Sequence, residues 1–228
     1  MHRKNQMETE FTIKNEAAMT DTNDVIFSGV IVHKFVTPKI AILTVNTGKA
    51  TPVVNYPKIL FFGDLREQVE HSYEVKDHVT IKGNIQSTKR KPGVVNQAPQ
   101  AVFGEEIELT NSIMKQSFNI EGPHSYKPFE NNFKISGVVV AIECSSPRVV
   151  KLIVKTVKNK RTSFVQLIYH TQDSTKLLGR VRPGDRICAL GCVQTKKQEK
   201  GDAVMHYENC IILEIQTIGT RKAEKPTA

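Results

Sequence analysis

The sequence predicts an all-β protein built from two tandem OB-folds, which are five-stranded Greek-key barrels. Three observations lead to this prediction. The chain repeats itself at an offset of 108 residues. Each copy contains five apolar, β-branched segments of strand length. A stretch with helical spacing lies between the third and fourth segments of each copy, and this order of elements is that of an OB-fold.

Two anchors define the repeat. Residues 77–86 align with residues 185–194, and Ser28-Gly29-Val30-Ile31-Val32 aligns with Ser136-Gly137-Val138-Val139-Val140 at the same offset. Two copies of one domain are therefore expected, at residues 25–110 and 133–218.

Each repeat has the same predicted elements. In the first repeat we expect a helix at 65–73 and strands at 26–33, 40–46, 58–62, 79–86 and 101–109. In the second we expect a helix at 174–181 and strands at 135–142, 149–157, 164–169, 187–194 and 203–213. Polar loops are predicted after the fourth strand of each repeat, at residues 87–99 and 195–201.

The remaining segments read as an arm, a linker and a tail. Residues 1–24 are polar and lack periodicity, which predicts a flexible arm. Residues 111–132 contain two prolines, a glycine and an Asn-Asn pair, which is typical of a linker. Residues 219–228 form a basic tail.

The charge of the chain is positive and uneven. Among 228 residues, 32 Lys and Arg outnumber 23 Asp and Glu, so the net charge is +9. The second repeat has 14 basic and 7 acidic residues, whereas the first has 10 and 8. A basic surface attracts nucleic acid, anionic membranes or acidic proteins, although a solvated surface gives the same composition.

Several classes of protein are not expected. No apolar run approaches the roughly 20 residues of a membrane span, and no apolar stretch follows the N-terminus as in a secretory leader. The sequence therefore predicts a cytoplasmic, nucleoid-associated protein without a membrane partner. The seven histidines show no catalytic or metal-ligand spacing, so no enzyme activity is predicted.

The cysteines do not predict a metal site or a cofactor. Cys188 and Cys192 lie about 13 Å apart along one predicted strand, which is too far for two thiolates to share a zinc ion. Alternation along that strand places Ile187, Ala189 and Val193 in the core. The outward row of Cys188, Leu190 and Cys192 is apolar, which predicts that another domain, the linker or a second chain covers it.

Two stretches of the first repeat resemble the bacterial single-stranded DNA-binding protein (SSB) family. The first is Tyr56-Pro57-Lys58-Ile59-Leu60-Phe61-Phe62-Gly63-Asp64-Leu65, an aromatic followed by an apolar strand that ends in aromatic-Gly. The second, residues 75–87, resembles the family's Gly-x-x-Val-x-Val-x-Gly-x-Leu-x-Thr motif. Pro183-Gly184-Asp185 of the second repeat resembles the family at the turn before this strand.

The resemblance implies binding of single-stranded DNA by base stacking. It implies stacking roles for Tyr56 and Phe62, and for Tyr169 as the counterpart of Phe62. The family's aromatic after strand four is absent, because Arg90 and Gln198 stand there, and the family's acidic C-terminal tip is also absent. Bacterial relatives gather four OB-folds, which implies a homodimer here, while a monomer stays open.

Alternation along the third strand supports the first site independently. Tyr56, Lys58 and Phe62 share one face with Leu60, and the opposite face, with Phe61, is core. Aromatic rings beside a cation suit bases stacked on the rings and phosphates paired with lysine.

Three clusters of cations are the remaining candidate nucleic-acid contacts. Two of them recur after strand four of both repeats, where OB-folds use a loop to bind oligonucleotides. Together the clusters comprise Lys89, Arg90 and Lys91; Lys196, Lys197 and Lys200; and Lys155, Lys158, Lys160 and Arg161.

The sequence therefore predicts a protein that protects single-stranded DNA, with little sequence preference, in replication, recombination or repair, in a setting that includes phages and mobile elements. Two alternatives stay open: an OB-fold scaffold that binds replication or recombination proteins, and a binder of single-stranded RNA.

Overall fold

The computed structural model describes residues 21–48, 54–87, 100–110, 129–172, 174–200 and 203–219. Most of the predicted arm, linker and tail lies outside these residues. The first repeat forms α1 (Gly63–Ser72) and five strands, namely β1 (Asn23–Val36), β2 (Ala41–Asn46), β3 (Lys58–Phe61), β4 (His78–Ser87) and β5 (Gln100–Leu109). The second forms α2 (Ser174–Leu178) and five strands, namely β6 (Glu130–Ser146), β7 (Val149–Lys158), β8 (Arg161–His170), β9 (Arg186–Lys200) and β10 (Ala203–Gly219).

Each set of five strands closes into a barrel. In the first, β1 pairs with both β2 and β4, β2 pairs with β3, and the ring closes through a parallel β3–β5 pair and an antiparallel β4–β5 pair. In the second, β6 to β10 are paired in the same order. The helix stands between the third and fourth strands both times, so the predicted pair of OB-folds is confirmed. They are called barrel 1 and barrel 2 below.

The side chains at alternate positions of each strand point inward and form the core, as the sequence predicts. In β3, Ile59 and Phe61 are fully buried, whereas Lys58 and Leu60 are partly exposed. In β9, Ile187 and Ala189 are buried in the same way. Val69 of α1 and Leu177 of α2 pack against the respective barrels and are buried as well. No helix among the described residues is long and apolar enough to cross a membrane.

Tight turns fix two of the connections. Asn159 and Lys160 both have positive φ, 51° and 63°, which is the geometry of a two-residue type I′ hairpin turn between β7 and β8. The turn before the fourth strand also needs positive φ, and it has Gly184 at 97° in barrel 2 but Lys76 at 84° in barrel 1.

Some predicted boundaries differ from the structure. The predicted polar loop at 195–201 is largely strand, because β9 continues to Lys200 and pairs with β10 from Ala203 onward. Residues 195–200 are all polar in sequence, so they lack the apolar alternation that marks a strand. At the other end, the side chain of Asp21 accepts a hydrogen bond from the Val157 N–H and forms an ion pair with Arg186.

The two barrels are joined by antiparallel pairing of β1 with β6. Asn23 lies opposite Ile135, and Phe27 lies opposite Asn131. At the centre Val25 lies opposite Phe133, and these two residues are equivalent in the repeat. The joint is therefore an isologous contact about a local two-fold axis, of the kind that symmetric dimers form, within one chain.

Buried asparagines repeat the same contacts on both sides of this axis. The Asn23 side chain donates to the Ile85 carbonyl at 2.7 Å, accepts from the Ile85 N–H at 3.0 Å, and donates across the joint to Thr156 Oγ1 at 3.4 Å. The same three contacts, at 2.8, 2.8 and 3.1 Å, recur among Asn131, Val193 and Thr47. The oxygen and the nitrogen of both buried amides are therefore hydrogen-bonded, as buried polar groups usually are.

A second pair of contacts differs in charge. Gln100 accepts a hydrogen bond from the Gln166 N–H across the joint at 2.8 Å, and its equivalent Glu208 accepts from the Lys58 N–H at 3.2 Å. Burial raises the pKa of the Glu208 carboxyl above its usual value, although the hydrogen bond from Lys58 and the charge of that lysine act against the rise. The same position thus holds a neutral amide in one half and an acid in the other.

Candidate nucleic-acid interface

The outer face of barrel 1 carries a row of four apolar side chains that ends in an asparagine. Residues directly opposite each other on paired strands point to the same face, so the strand register identifies the row. It runs across β1, β2, β3, β5 and β4 through Phe35, Ile42, Leu60, Phe103 and Asn84, and is called row 1.

Row 1 is partly open to solvent, from the exposed Phe35 to the buried Asn84, and aromatic rings lie along it. Phe35 is 50% exposed, and Phe62, which follows β3, is 47% exposed. The rings of Phe62 and Phe103 are stacked, with centroids 5.5 Å apart and planes 15° from parallel. This arrangement leaves flat aromatic surface on which bases can stack. Phe35 and Phe103 did not emerge from the sequence, because their place in the row depends on which strands are neighbours.

The equivalent row of barrel 2 has a different character. The register places Glu143, Lys151, Ile168, Ile211 and Cys192 in line across β6, β7, β8, β10 and β9, and this set is called row 2. Its first two members are an acid and a base in place of Phe35 and Ile42. Ile168, Ile211 and Cys192 form a small apolar cluster and are 8%, 7% and 1% exposed. Row 2 offers no aromatic ring to a base.

Tyr169 is not the counterpart of Phe62. The parallel pairing of β8 with β10 puts Tyr169 opposite Ile212, and the equivalent position in barrel 1 is that of Phe61. In agreement with this, Tyr169 is partly buried against the core. The predicted correspondence was wrong by one residue, because the offset of 108 pairs Phe61 with Tyr169 and Phe62 with His170. A stacking role for Tyr169 stays a prediction, and this placement does not favour it.

Tyr56 and Phe164 occupy equivalent positions in the two repeats, although Phe164 was not among the predicted contacts. Both are exposed, at 41% and 46%. The Tyr56 N–H donates to Thr195 Oγ1 at 3.1 Å, and the Phe164 N–H donates to Ser87 Oγ at 3.4 Å, in each case across the joint. Applying the offset of 108 to Tyr56 would have identified Phe164. The barrels meet along two seams, one where Tyr56 contacts Thr195 of β9 and one where Phe164 of β8 contacts Ser87 of β4. Each seam therefore carries one exposed ring.

The cations on the β7–β8 hairpin have different surroundings. Lys155, Lys160 and Arg161 are exposed and face solvent. Lys158 instead lies 2.7 Å from the Asp24 carboxylate and 2.9 Å from that of Glu105, both in barrel 1. It is therefore a bridge between the barrels rather than a free phosphate contact, which corrects its expected role.

The ion pairs also keep Lys158 charged. Burial lowers the pKa of its ammonium, but the hydrogen bonds and charges of Asp24 and Glu105 outweigh that effect and raise the pKa above its usual value.

The other predicted contacts are placed in part. Lys58 is half-buried beside the joint, and Lys196 is exposed on β9. Lys89, Arg90 and Lys91 lie outside the described residues, as do the side chains of Lys197 and Lys200. The outward row of β9 is half-exposed at Cys188, exposed at Leu190 and buried at Cys192, which packs with Ile168 and Ile211 of the same barrel. A cover from another domain, the linker or a second chain stays a prediction.

The comparisons with known proteins agree with this architecture. No family model and no curated protein matches the sequence. Among solved structures, a deletion mutant of the single-stranded DNA binding protein from Thermus aquaticus superposes with a TM-score of 0.59 at 16% identity. The match covers 90% of this chain and 99% of that one. The two proteins share one fold.

The wild-type protein from Thermus aquaticus gives the same result. It superposes with a TM-score of 0.57 at 15% identity, over 91% of this chain and 98% of that chain. The likeness extends over both barrels, so it concerns the tandem OB-fold as a whole rather than one barrel. At this level of identity the likeness establishes the fold, and the binding residues have to be argued from their own geometry.

Proposed function

We propose that this protein binds single-stranded DNA with little sequence preference, and that residues 25–110 and 133–218 are its two binding units. The observation that carries the proposal is the open aromatic surface of row 1, with the stacked pair of Phe62 and Phe103 at its centre. Base stacking on rings is tolerant of sequence because every base has an aromatic face.

Cations of barrel 2 supply the second element of the proposal. Lys155, Lys160 and Arg161 are exposed on one hairpin, and each phosphate that they neutralise releases bound counterions. Lys58, Lys196, Lys197, Lys200 and the cluster at residues 89–91 extend the same role. The similar solved structures are single-stranded DNA binding proteins by name, which supports the same partner here.

The wider role is part of the proposal. We infer protection of single strands during replication, recombination or repair, in the cytoplasm at the nucleoid, by a protein without enzymatic activity that forms a homodimer. A scaffold that binds other proteins is the second candidate, and exposed Leu190 and Leu213 on barrel 2 favour it. Light scattering with and without a dT oligonucleotide measures the oligomeric state.

Fluorescence anisotropy with labelled oligonucleotides tests the main proposal. We expect binding to dT, weaker binding to duplex DNA, and a log–log salt slope of about −0.7 for each phosphate contacted. Replacing Lys155, Lys160 and Arg161 together by Glu should lower the affinity and flatten that slope, whereas Lys176→Glu on α2 is the control. Equal affinity for duplex would overturn the proposal, tighter binding to rU would favour RNA, and no binding at all would favour the scaffold.

A further inference from the structure

A polar cleft separates the barrels on one side of the local two-fold axis. It has a volume of about 290 Å³ and lies between the end of β4 and the β7–β8 hairpin. The walls include Asn84 and Gln86 from barrel 1 and Asn159, Arg161 and Ser163 from barrel 2. This volume is at the lower limit of small-molecule sites, about 300–1,000 Å³, and suits a single nucleotide.

The walls suit a base better than a phosphate. The ammonium of Lys158 is neutralised by Asp24 and Glu105. Asn84 donates to Glu105 at 2.7 Å, and Gln86 donates to Asn84 at 2.9 Å, so the amides form an ordered chain. Amides offer both donors and acceptors, as the edges of bases do.

The rim of the cleft carries the charge that a phosphate needs. Arg161 is exposed there and has no ion-pair partner among the residues that the structure describes. A base inside the cleft would therefore leave its phosphate next to a guanidinium, which binds phosphate in a bidentate manner.

The position of the cleft connects the two candidate binding surfaces. Asn84 is the last member of row 1 and lies directly opposite Phe103. On the far side, the exposed Phe164 is held to Ser87 of β4 by its N–H. A strand that leaves the aromatic surface of barrel 1 at Phe103 thus meets the cleft, then Phe164 and Arg161.

Among the residues that the structure describes, the opposite seam differs at two equivalent positions. The buried amide of Asn84 is replaced by the buried thiol of Cys192, and Glu105, the extra residue of a β-bulge, is replaced by the exposed Leu213 in the equivalent bulge. Gln86 is matched by Gln194, which is half-buried like its equivalent. The local symmetry of the backbone is therefore broken in the side chains that line the two seams.

We propose that single-stranded DNA crosses from barrel 1 to barrel 2 through the β4–β8 seam, and that one nucleotide of the crossing strand occupies the cleft. This inference rests on the proposed function. It adds that the strand follows one path across the molecule although the backbone offers two equivalent ones.

Gln86→Glu and Gln194→Glu form a matched pair that tests this path. Each variant puts a carboxylate at the same backbone position of one seam. We measure the affinity for a dT series of increasing length and the melting temperature of each variant. Gln86→Glu should weaken the binding of long oligonucleotides by roughly tenfold through repulsion of the strand, and Gln194→Glu by less than about twofold. The penalty should be absent for oligonucleotides short enough for one barrel, a site of about 4–16 nucleotides.

The outcomes separate the two proposals. Equal penalties at both positions, or no penalty at Gln86 while wild-type binding is retained, would overturn the path and leave the proposed function standing. Failure of the wild-type protein to bind any dT oligonucleotide would overturn the proposed function itself. Arg161→Met, which leaves the amides of the cleft in place, should reproduce part of the Gln86→Glu loss and guards against an effect of misfolding.

Discussion

The two barrels share a backbone and differ in what their outer faces present. Row 1 shows solvent a stacked pair of phenylalanines and a third ring at Phe35, whereas row 2 has a charged pair followed by a buried aliphatic cluster. Their joint repeats the hydrogen bonds of the asparagines Asn23 and Asn131 on both sides and differs in charge at Gln100 and Glu208.

This difference shows which residues are constrained by folding. The inner faces close two barrels of the same topology, and the asparagines of the joint satisfy the same backbone groups in each half. The outer rows serve neither purpose, so they can differ without loss of the fold. The proposed function therefore places base stacking chiefly on barrel 1 and phosphate contacts chiefly on barrel 2.

The largest expected effect tests the core assignment. Phe61→Ala removes a fully buried ring that packs onto Gly104, and should lower the free energy of unfolding by about 3–5 kcal/mol. Tyr169→Ala removes the equivalent but partly exposed ring, and should cost roughly 1–2 kcal/mol. Urea unfolding followed by circular dichroism measures both.

The reactivity of the buried cysteines shows which barrel unfolds. Cys192 and Cys210 are buried in barrel 2, so a thiol reagent reports on that barrel. Phe61→Ala should leave their protection largely intact while barrel 1 is weakened. Equal losses of stability for the two variants would contradict the difference in burial between Phe61 and Tyr169.

The next effect is on affinity and tests the outer rows. Phe103→Ala removes a stacking ring from row 1 and should cost about 1–3 kcal/mol of binding to dT. Ile211→Ala at the equivalent position of row 2 should lower the melting temperature, because the residue is buried, and leave the affinity nearly unchanged. Loss of affinity in both variants would mean that row 2 is also a binding surface.

The smallest effect depends on pH and tests the joint. Because burial raises the pKa of Glu208 in the folded protein, folding takes up a proton between the unfolded and folded pKa values. Stability therefore falls as the pH rises through that window, and neutral pH lies on the costly side. Glu208→Gln copies Gln100, so it should raise the free energy of unfolding at pH 7, with an advantage that shrinks on acidification.

The reverse exchange is the control. Gln100→Glu puts a buried acid into the other half and should lower stability at pH 7. Thermal unfolding across pH 4–8 follows both variants. A flat pH profile of the difference between wild type and Glu208→Gln would show that Glu208 is not desolvated.

Much of the fold could be predicted from the sequence because the repeat applies the same physical constraints twice. The 108-residue offset and strand alternation identified both barrels and the buried face of β3. They failed where the pattern is weak: β9 continues past residue 195 as a polar sequence, and the counterpart of Phe62 was taken one residue early at Tyr169.

The site was less predictable, since it depends on neighbours that are remote in sequence. Phe62 was predicted from the resemblance to the SSB family and from strand alternation, but Phe103 becomes its stacking partner through the parallel pairing of β3 with β5. Lys158 and Lys160 lie in the same basic stretch of the sequence, yet Lys158 contacts two carboxylates of the other barrel. The positions of charged residues along the sequence do not reveal such contacts.

The isologous contact between β1 and β6 has a consequence for how the halves can diverge. Two separate subunits related by such a contact would carry identical residues, so any change would appear in both. Covalent connection gives each half its own sequence and holds the partner at an effective concentration in the millimolar range. The joint then need not be strong enough to assemble from dilute subunits, and one half is free to specialise while the other preserves the pairing.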